Sequence, residues 1–124
     1  MLIDRENDSL IRSACRLSKL INAKAIVTMT KSGYTGLRVS GHRPRANIFI
    51  VTSNKNLLNI MNIGWGIRGL YYDKTDYIDN TFENIEALLM KNKFLKKKDK
   101  YIITSSMPSH WKGHTNMMKV NVVN

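Results

Sequence analysis

Seven consecutive residues, Thr30-Lys31-Ser32-Gly33-Tyr34-Thr35-Gly36, combine hydroxyls, a lysine and two glycines. These are the groups that hold an anion, phosphate above all. The apolar run Ala25-Ile26-Val27-Thr28-Met29 leads directly into them and is long enough for one buried strand. Helix-like spacing resumes with Leu37 and Val39 and extends toward His42. A loop between a strand and a helix presents backbone N–H groups with no intrahelical partner, and the helix dipole favours negative charge there. Gly33 permits close approach of the backbone and a positive φ. Neither Gly-x-x-x-x-Gly-Lys-Ser/Thr nor Gly-x-Gly-x-x-Gly is present, so neither common nucleotide-binding loop is encoded. Alone, the segment reads equally well as an ordinary strand-to-helix turn. Thr30, Ser32 and Thr35 suit helix capping as well as phosphate donation, and the two roles are compatible.

Other chemistries find less support. His42, His110 and His114 are not at metal-ligand spacing with any cysteine or carboxylate pair, so no metal site is assigned. No Ser-His-Asp or Cys-His arrangement stands out. The single cysteine, Cys15, has no partner for a disulfide within the chain, in keeping with a reducing compartment. It lies beside the apolar stripe of a helix and reads as a small packing residue rather than a reactive thiol. His110 and Trp111 read as loop packing, and Met61, Met90, Met117 and Met118 as core or interface filler.

The elements that must position the loop follow from apolar spacing. Leu10, Ala14, Leu17 and Ile21 mark one face of a first helix, with Asp8 or Ser9 as its cap. Residues 1–8 read as a flexible segment and 9–124 as one domain. After the strand and loop, Pro44 marks the end of a second helix. Ile48-Phe49-Ile50-Val51-Thr52 is a second strand, apolar enough for burial on both faces. A short helix through Leu57, Leu58 and Met61 starts at Ser53-Asn54 and ends near Gly64 and Gly66, and Ile67 to Tyr72 forms a third strand. Asn80-x-x-Glu83 resembles a capping box for a helix through Phe82, Ile85 and Leu88/Leu89. Tyr101-Ile102-Ile103-Thr104 and the alternating Met118, Val120 and Val122 complete the strands. The order implies an α/β three-layer sandwich, with a five-stranded, mostly parallel sheet whose last strand is antiparallel. Ligands in such sheets bind at the carboxyl ends of the strands, where residues 30–36, 52–54 and 105–113 are expected to meet.

A length of 124 residues and 43% hydrophobic content fit one domain with one core. No stretch approaches the roughly 18 apolar residues of a membrane span. The start of the chain, Met1 to Glu6, lacks the pattern of a secretory leader, so a cytoplasmic protein without membrane partners is expected. The net charge is +11, and every charged residue between Ser9 and Tyr72 is basic. A second basic cluster runs through Lys91, Lys93, Lys96, Lys97, Lys98 and Lys100. Such a field attracts nucleic acid, acidic membrane or phosphorylated metabolites. Abundant Asn, Lys and Ile also fit an A/T-rich coding sequence and a merely solvated lysine surface.

Further strings give the loop a context: His42-Arg43-Pro44-Arg45-Ala46-x-Ile48, Val51-Thr52-Ser53-Asn54, Trp65-Gly66-Ile67, Tyr71-Tyr72-Asp73 and Gly113-His114-Thr115-Asn116-Met117-Met118-Lys119-Val120. With Ala23 to Thr35, in this order and spacing, they resemble the C-terminal domain of pyruvate kinase from about Asp8 to Val123. The early Thr-Lys-Ser-Gly-x-Thr and late Gly-x-Thr-Asn-x-Met-Lys-Val are more specific together than either alone. The strings at 48–55 and 65–74 look most like bacterial enzymes of the Bacteroidota type. The resemblance implies an α/β regulatory and subunit-assembly domain, not the catalytic barrel. Phosphoryl transfer from phosphoenolpyruvate to ADP, in glycolysis, would belong to that barrel with its Mg²⁺ and K⁺. This domain would hold no cofactor and catalyse nothing by itself.

By the same resemblance, Thr30, Lys31, Ser32, Gly33, Tyr34 and Thr35 map onto the family's effector 6-phosphate loop. A second effector loop maps onto about 105–113, with Ser106, His110, Lys112 and Gly113 as its candidates. The chain departs from animal-type members activated by fructose 1,6-bisphosphate, which carry a Trp and an Arg before the fourth helix. Residues 73–82 contain no Arg, and the second loop lacks an early Arg. Loss of one cationic phosphate contact costs about 1.5–3 kcal/mol, enough to change ligand choice. A monophosphate effector (a sugar phosphate or a nucleotide monophosphate) or no effector at all is therefore as open as the bisphosphate. The expected partners are the remaining pyruvate kinase domains and the neighbouring subunits of a homotetramer. A free-standing phosphosugar-binding or nucleic-acid-binding module is the alternative; the lysine cluster lacks the interleaved aromatics of a single-strand binder.

Overall fold

The computed structural model describes residues 2–29, 45–53, 55–56, 58, 67–72, 78–105 and 117–123. Its elements in chain order are α1 (Leu2–Leu20), β1 (Ala25–Met29), β2 (Asn47–Thr52), β3 (Ile67–Tyr71), α2 (Ile78–Lys91), β4 (Lys100–Ser105) and β5 (Met117–Val122). The strands form one sheet in the order β3-β2-β1-β4-β5. All neighbours pair in parallel except β4 and β5, which are antiparallel. This is the α/β sheet implied by the order of apolar runs.

The middle strand explains the layering. Ala25, Ile26, Val27 and Thr28 have no solvent exposure, so β1 is covered on both faces. Alternation sends Ala25 and Val27 to one side, with Phe49, Val51, Tyr101 and Ile103, where Phe82, Ile85 and Leu89 of α2 pack. Ile26 faces the other way with Ile48, Ile50 and Ile67, against Ile11 of α1. The parallel register aligns Ile67, Ile48, Ile26 and Ile102 as one row across four strands. On this face Leu58 crosses β3 so closely that a Cβ at Gly69 would stand 2.6 Å from its Cδ2. On the α2 face the Phe49 and Phe94 rings lie 4.9 Å apart. Arg68 lies over the Phe94 ring and Lys119 over that of Phe82, so cationic side chains cover both flanks of this core.

The helices differ from the sequence reading in three respects. First, α1 begins at Leu2, so residues 2–8 are helical and neither Asp8 nor Ser9 caps the helix. Apolar periodicity marks only the turns that pack; the preceding polar turns carry no such signal. Second, the buried face of α1 is Ile11, Ala14 and Ser18, with Leu10, Leu17 and Ile21 only half-buried. Ser18 tolerates burial because its hydroxyl donates to the Cys15 carbonyl at 2.7 Å. Third, α2 already includes Ile78, which places Asn80 inside the helix and rules out a capping box starting there.

Both helices end in the same way. At the end of α1 the Asn22 N–H donates to the Lys19 carbonyl and the Ala23 N–H to that of Ser18. At the end of α2 the Lys93 N–H donates to the Met90 carbonyl and the Phe94 N–H to that of Leu89. Each is a Schellman closure, with Asn22 (φ 57°) and Lys93 (φ 63°) in the left-handed position that glycine fills at least cost.

A polar network ties α2 to the sheet. The fully buried Tyr101 donates its hydroxyl to Glu86 Oε1 at 2.6 Å and accepts from Asn121 Nδ2 at 3.2 Å. Burial, reinforced by the Glu86 carboxylate, holds the phenol well above its ordinary pKa and therefore protonated. Removing this hydroxyl leaves the half-buried Glu86 and Asn121 each short of a partner. Tyr101→Phe is expected to lower unfolding free energy by about 1–3 kcal/mol in urea denaturation. An unchanged midpoint would show that the network contributes nothing to stability.

Candidate functional site

The sheet order defines where a ligand site belongs. From β1 the chain moves outward to β2 and β3, then returns past β1 to β4 on the other side. In open α/β sheets ligands bind at such a reversal, outside the carboxyl ends of the two strands, here β1 and β4. Those ends are in register, with Thr28 opposite Thr104. Residues 30–35 follow directly from β1, and residues 106–113 directly from β4. The two stretches singled out in the sequence therefore start from hydrogen-bonded neighbours, although their first residues, 30 and 106, stand 76 positions apart in the chain.

Thr30, Lys31, Ser32, Gly33, Tyr34 and Thr35 lie outside the described residues, as do Ser106, His110, Lys112 and Gly113. The three histidines also lie outside them. Thr52 closes β2, the strand on the other side of β1, and is buried.

The described residues beneath this edge carry a feature that the sequence reading missed. On the α1 face the isoleucine row gives way, two residues further along, to Ile50, Thr28 and Thr104. Both threonines are fully buried. Thr28 Oγ1 reaches the Phe49 carbonyl only at 3.4 Å, and Thr104 Oγ1 has no hydrogen-bond partner among the described residues. A buried hydroxyl without a partner costs free energy, so polar atoms at this level mark where the core stops being purely apolar. The available signal was a threonine near the end of two otherwise apolar runs. It became informative only once the pairing put the two side by side.

Cys15 is half-buried and packs against the α1-side core. Burial raises its thiol from 9.0 to about 11. The group is neutral at physiological pH, as suits a packing residue. Because the folded value exceeds the unfolded one, the proton stabilises the fold below about pH 9, and this contribution is lost as pH rises toward 11. Thiolate absorbance at 240 nm is expected to titrate near 11 in the folded chain and to return to the ordinary range on unfolding. A folded midpoint near 9 would contradict the burial.

Among the described residues, no group of three or more His, Cys, Asp or Glu is placed to hold a metal ion. No helix there is long and apolar enough to cross a membrane.

Comparison with known proteins supplies the family. Residues 8–121 match the family profile described as "Pyruvate kinase, alpha/beta domain". A pyruvate kinase of Lactobacillus delbrueckii subsp. bulgaricus is 28% identical over 116 residues, which is 94% of this chain and 20% of the relative. One from Staphylococcus saprophyticus is 34% identical over 103 residues, 83% of this chain and 18% of the relative. The crystal structure of a pyruvate kinase from Cryptosporidium parvum shares the fold with a TM-score of 0.83 at 21% identity, covering 95% of this chain and 23% of that one. The chain thus spans about a fifth of the length of the curated relatives it matches.

Proposed function

The chain belongs to the pyruvate kinase alpha/beta domain family, and from that premise we propose that it is the C-terminal regulatory and subunit-assembly domain of a pyruvate kinase. On this reading it acts in the cytoplasm beside a catalytic barrel outside these 124 residues. Conversion of phosphoenolpyruvate and ADP to pyruvate and ATP belongs to that barrel, as do Mg²⁺ and K⁺. The purified chain should then show no phosphoenolpyruvate-dependent ATP formation. The strings at 48–55 and 65–74 are the ground for a Bacteroidota-type bacterial assignment within the family.

The observation that carries the regulatory role is the reversal of strand order between β1 and β4. It brings together the starts of the two stretches that carry phosphate-binding residue types. Thr30, Lys31, Ser32, Gly33, Tyr34 and Thr35 form the main effector loop in this reading, and Ser106, His110, Lys112 and Gly113 the second. The ligand is a phosphorylated sugar or a nucleotide monophosphate. Calorimetric titration with fructose 1,6-bisphosphate, glucose 6-phosphate, ribose 5-phosphate and AMP tests it. Lys31→Ala should weaken binding of the active compound roughly tenfold or more, the loss expected of one charge-assisted contact. Equal binding by Lys31→Ala and wild type would remove the loop from the site.

The assembly role rests on β5. Among the described residues this strand lies at the edge of the sheet and pairs with β4 alone. Its apolar alternation does not point into the core: Val120 is 43% and Val122 49% exposed, while Lys119 and Asn121 occupy the α2 side. An edge with unpaired backbone groups and apolar side chains is a template for joining another chain. Self-association should be detectable by sedimentation and reduced by Val120→Lys. A monomeric wild type at high concentration would count against an assembly role for this strand.

A further inference from the structure

At the end of the sheet opposite the carboxyl edge, lysines gather. Lys24 precedes β1, and its N–H donates to the carbonyl of Lys100, the first residue of β4, at 2.7 Å. Between α2 and β4 stand Lys93, Lys96, Lys97 and Lys98, all exposed. The one acid in this connection, Asp99, is engaged, because its Oδ2 accepts the Lys96 N–H at 2.9 Å. Helix dipoles account for Lys19 and Lys91, which stand in the last turns of α1 and α2. They do not account for the lysines beyond those turns.

Backbone conformation adds a second observation. The Asp99 N–H donates to the Lys96 carbonyl, closing a turn whose third residue, Lys98, has φ 73°. Lys93 has φ 63° at the helix end. Glycine or asparagine fills such positions at lower cost. Two lysines held there retain charge where the backbone favours another residue, and strain of this kind marks functional surfaces.

An exposed apolar side chain accompanies the charge. Leu20, at the end of α1, is 76% exposed. Residues 91–100 contain no arginine, and their one aromatic ring, Phe94, packs against Phe49. Arginine forks and free aromatic faces are what nucleic-acid recognition draws on. Lysine charge density beside a protruding leucine instead fits lipid headgroups over an apolar layer.

We propose that this lysine-rich end docks on the surface of an anionic phospholipid bilayer, with Leu20 entering the headgroup region. Such docking needs no spanning segment, and it departs from the sequence-based expectation of a protein without membrane partners. It goes beyond the effector and assembly roles and uses the opposite edge of the sheet.

The test is co-sedimentation of the 124-residue chain with phosphatidylserine–phosphatidylcholine vesicles, against phosphatidylcholine alone, at low and high salt. Binding is expected to require phosphatidylserine and to fall with salt. The double variant Lys93→Gly/Lys98→Gly should melt at the same or a higher temperature yet bind roughly 30-fold more weakly, the effect of two lysine charges near the surface. Leu20→Ser should weaken binding while leaving its salt dependence unchanged. The proposal is overturned if folded wild type does not sediment with anionic vesicles, or if the double-glycine variant binds as well as wild type. It is equally overturned if duplex DNA or polyglutamate displaces the chain at lower charge concentration than the vesicles hold.

Discussion

Complete burial of β1 is the constraint from which the remaining architecture follows. A strand with no exposure from Ala25 to Thr28 must have a strand on each side and a helical layer on each face. β2 and β4 supply the sides, and α1 and α2 supply the faces. Once β1 is central, the chain must leave it in one direction and return on the other side. That return sets the reversal of strand order between β1 and β4.

The two ends of the sheet therefore have opposite characters. At the carboxyl end, the threonine pair Thr28 and Thr104 replaces isoleucine, and the candidate effector stretches begin. At the amino end, both helices close with Schellman turns, and the connection to β4 is dense in lysine. The lysine cluster at 91–100 is joined at that end by Lys24, whose N–H meets the Lys100 carbonyl.

The β5 edge shows how an amphipathic pattern can mislead. Met118, Val120 and Val122 alternate as a half-buried strand would, and the strand is there. Yet Val120 and Val122 are substantially exposed, although α1 reaches β5 as well as β1 and β4. Periodicity reports that one face is apolar; it does not report what covers that face.

Local sequence determined the strands and the type of the sheet. Ala25–Met29, Ile48–Thr52 and Tyr101–Thr104 are short apolar runs that suit buried strands, Ile67–Tyr71 is a more exposed edge strand, and the family strings agree with them. Helix limits and faces were less legible: Ser18 is buried although polar, because its hydroxyl finds a carbonyl within its own helix. The candidate phosphate residues at 30–35 were readable as chemistry, but not as a site. Only the tertiary structure paired β1 with β4, since strand order depends on contacts between residues far apart in the chain, which no local pattern encodes. The same pairing set Thr28 beside Thr104, joined Tyr101 to Glu86 and Asn121, and brought Lys24 to Lys100.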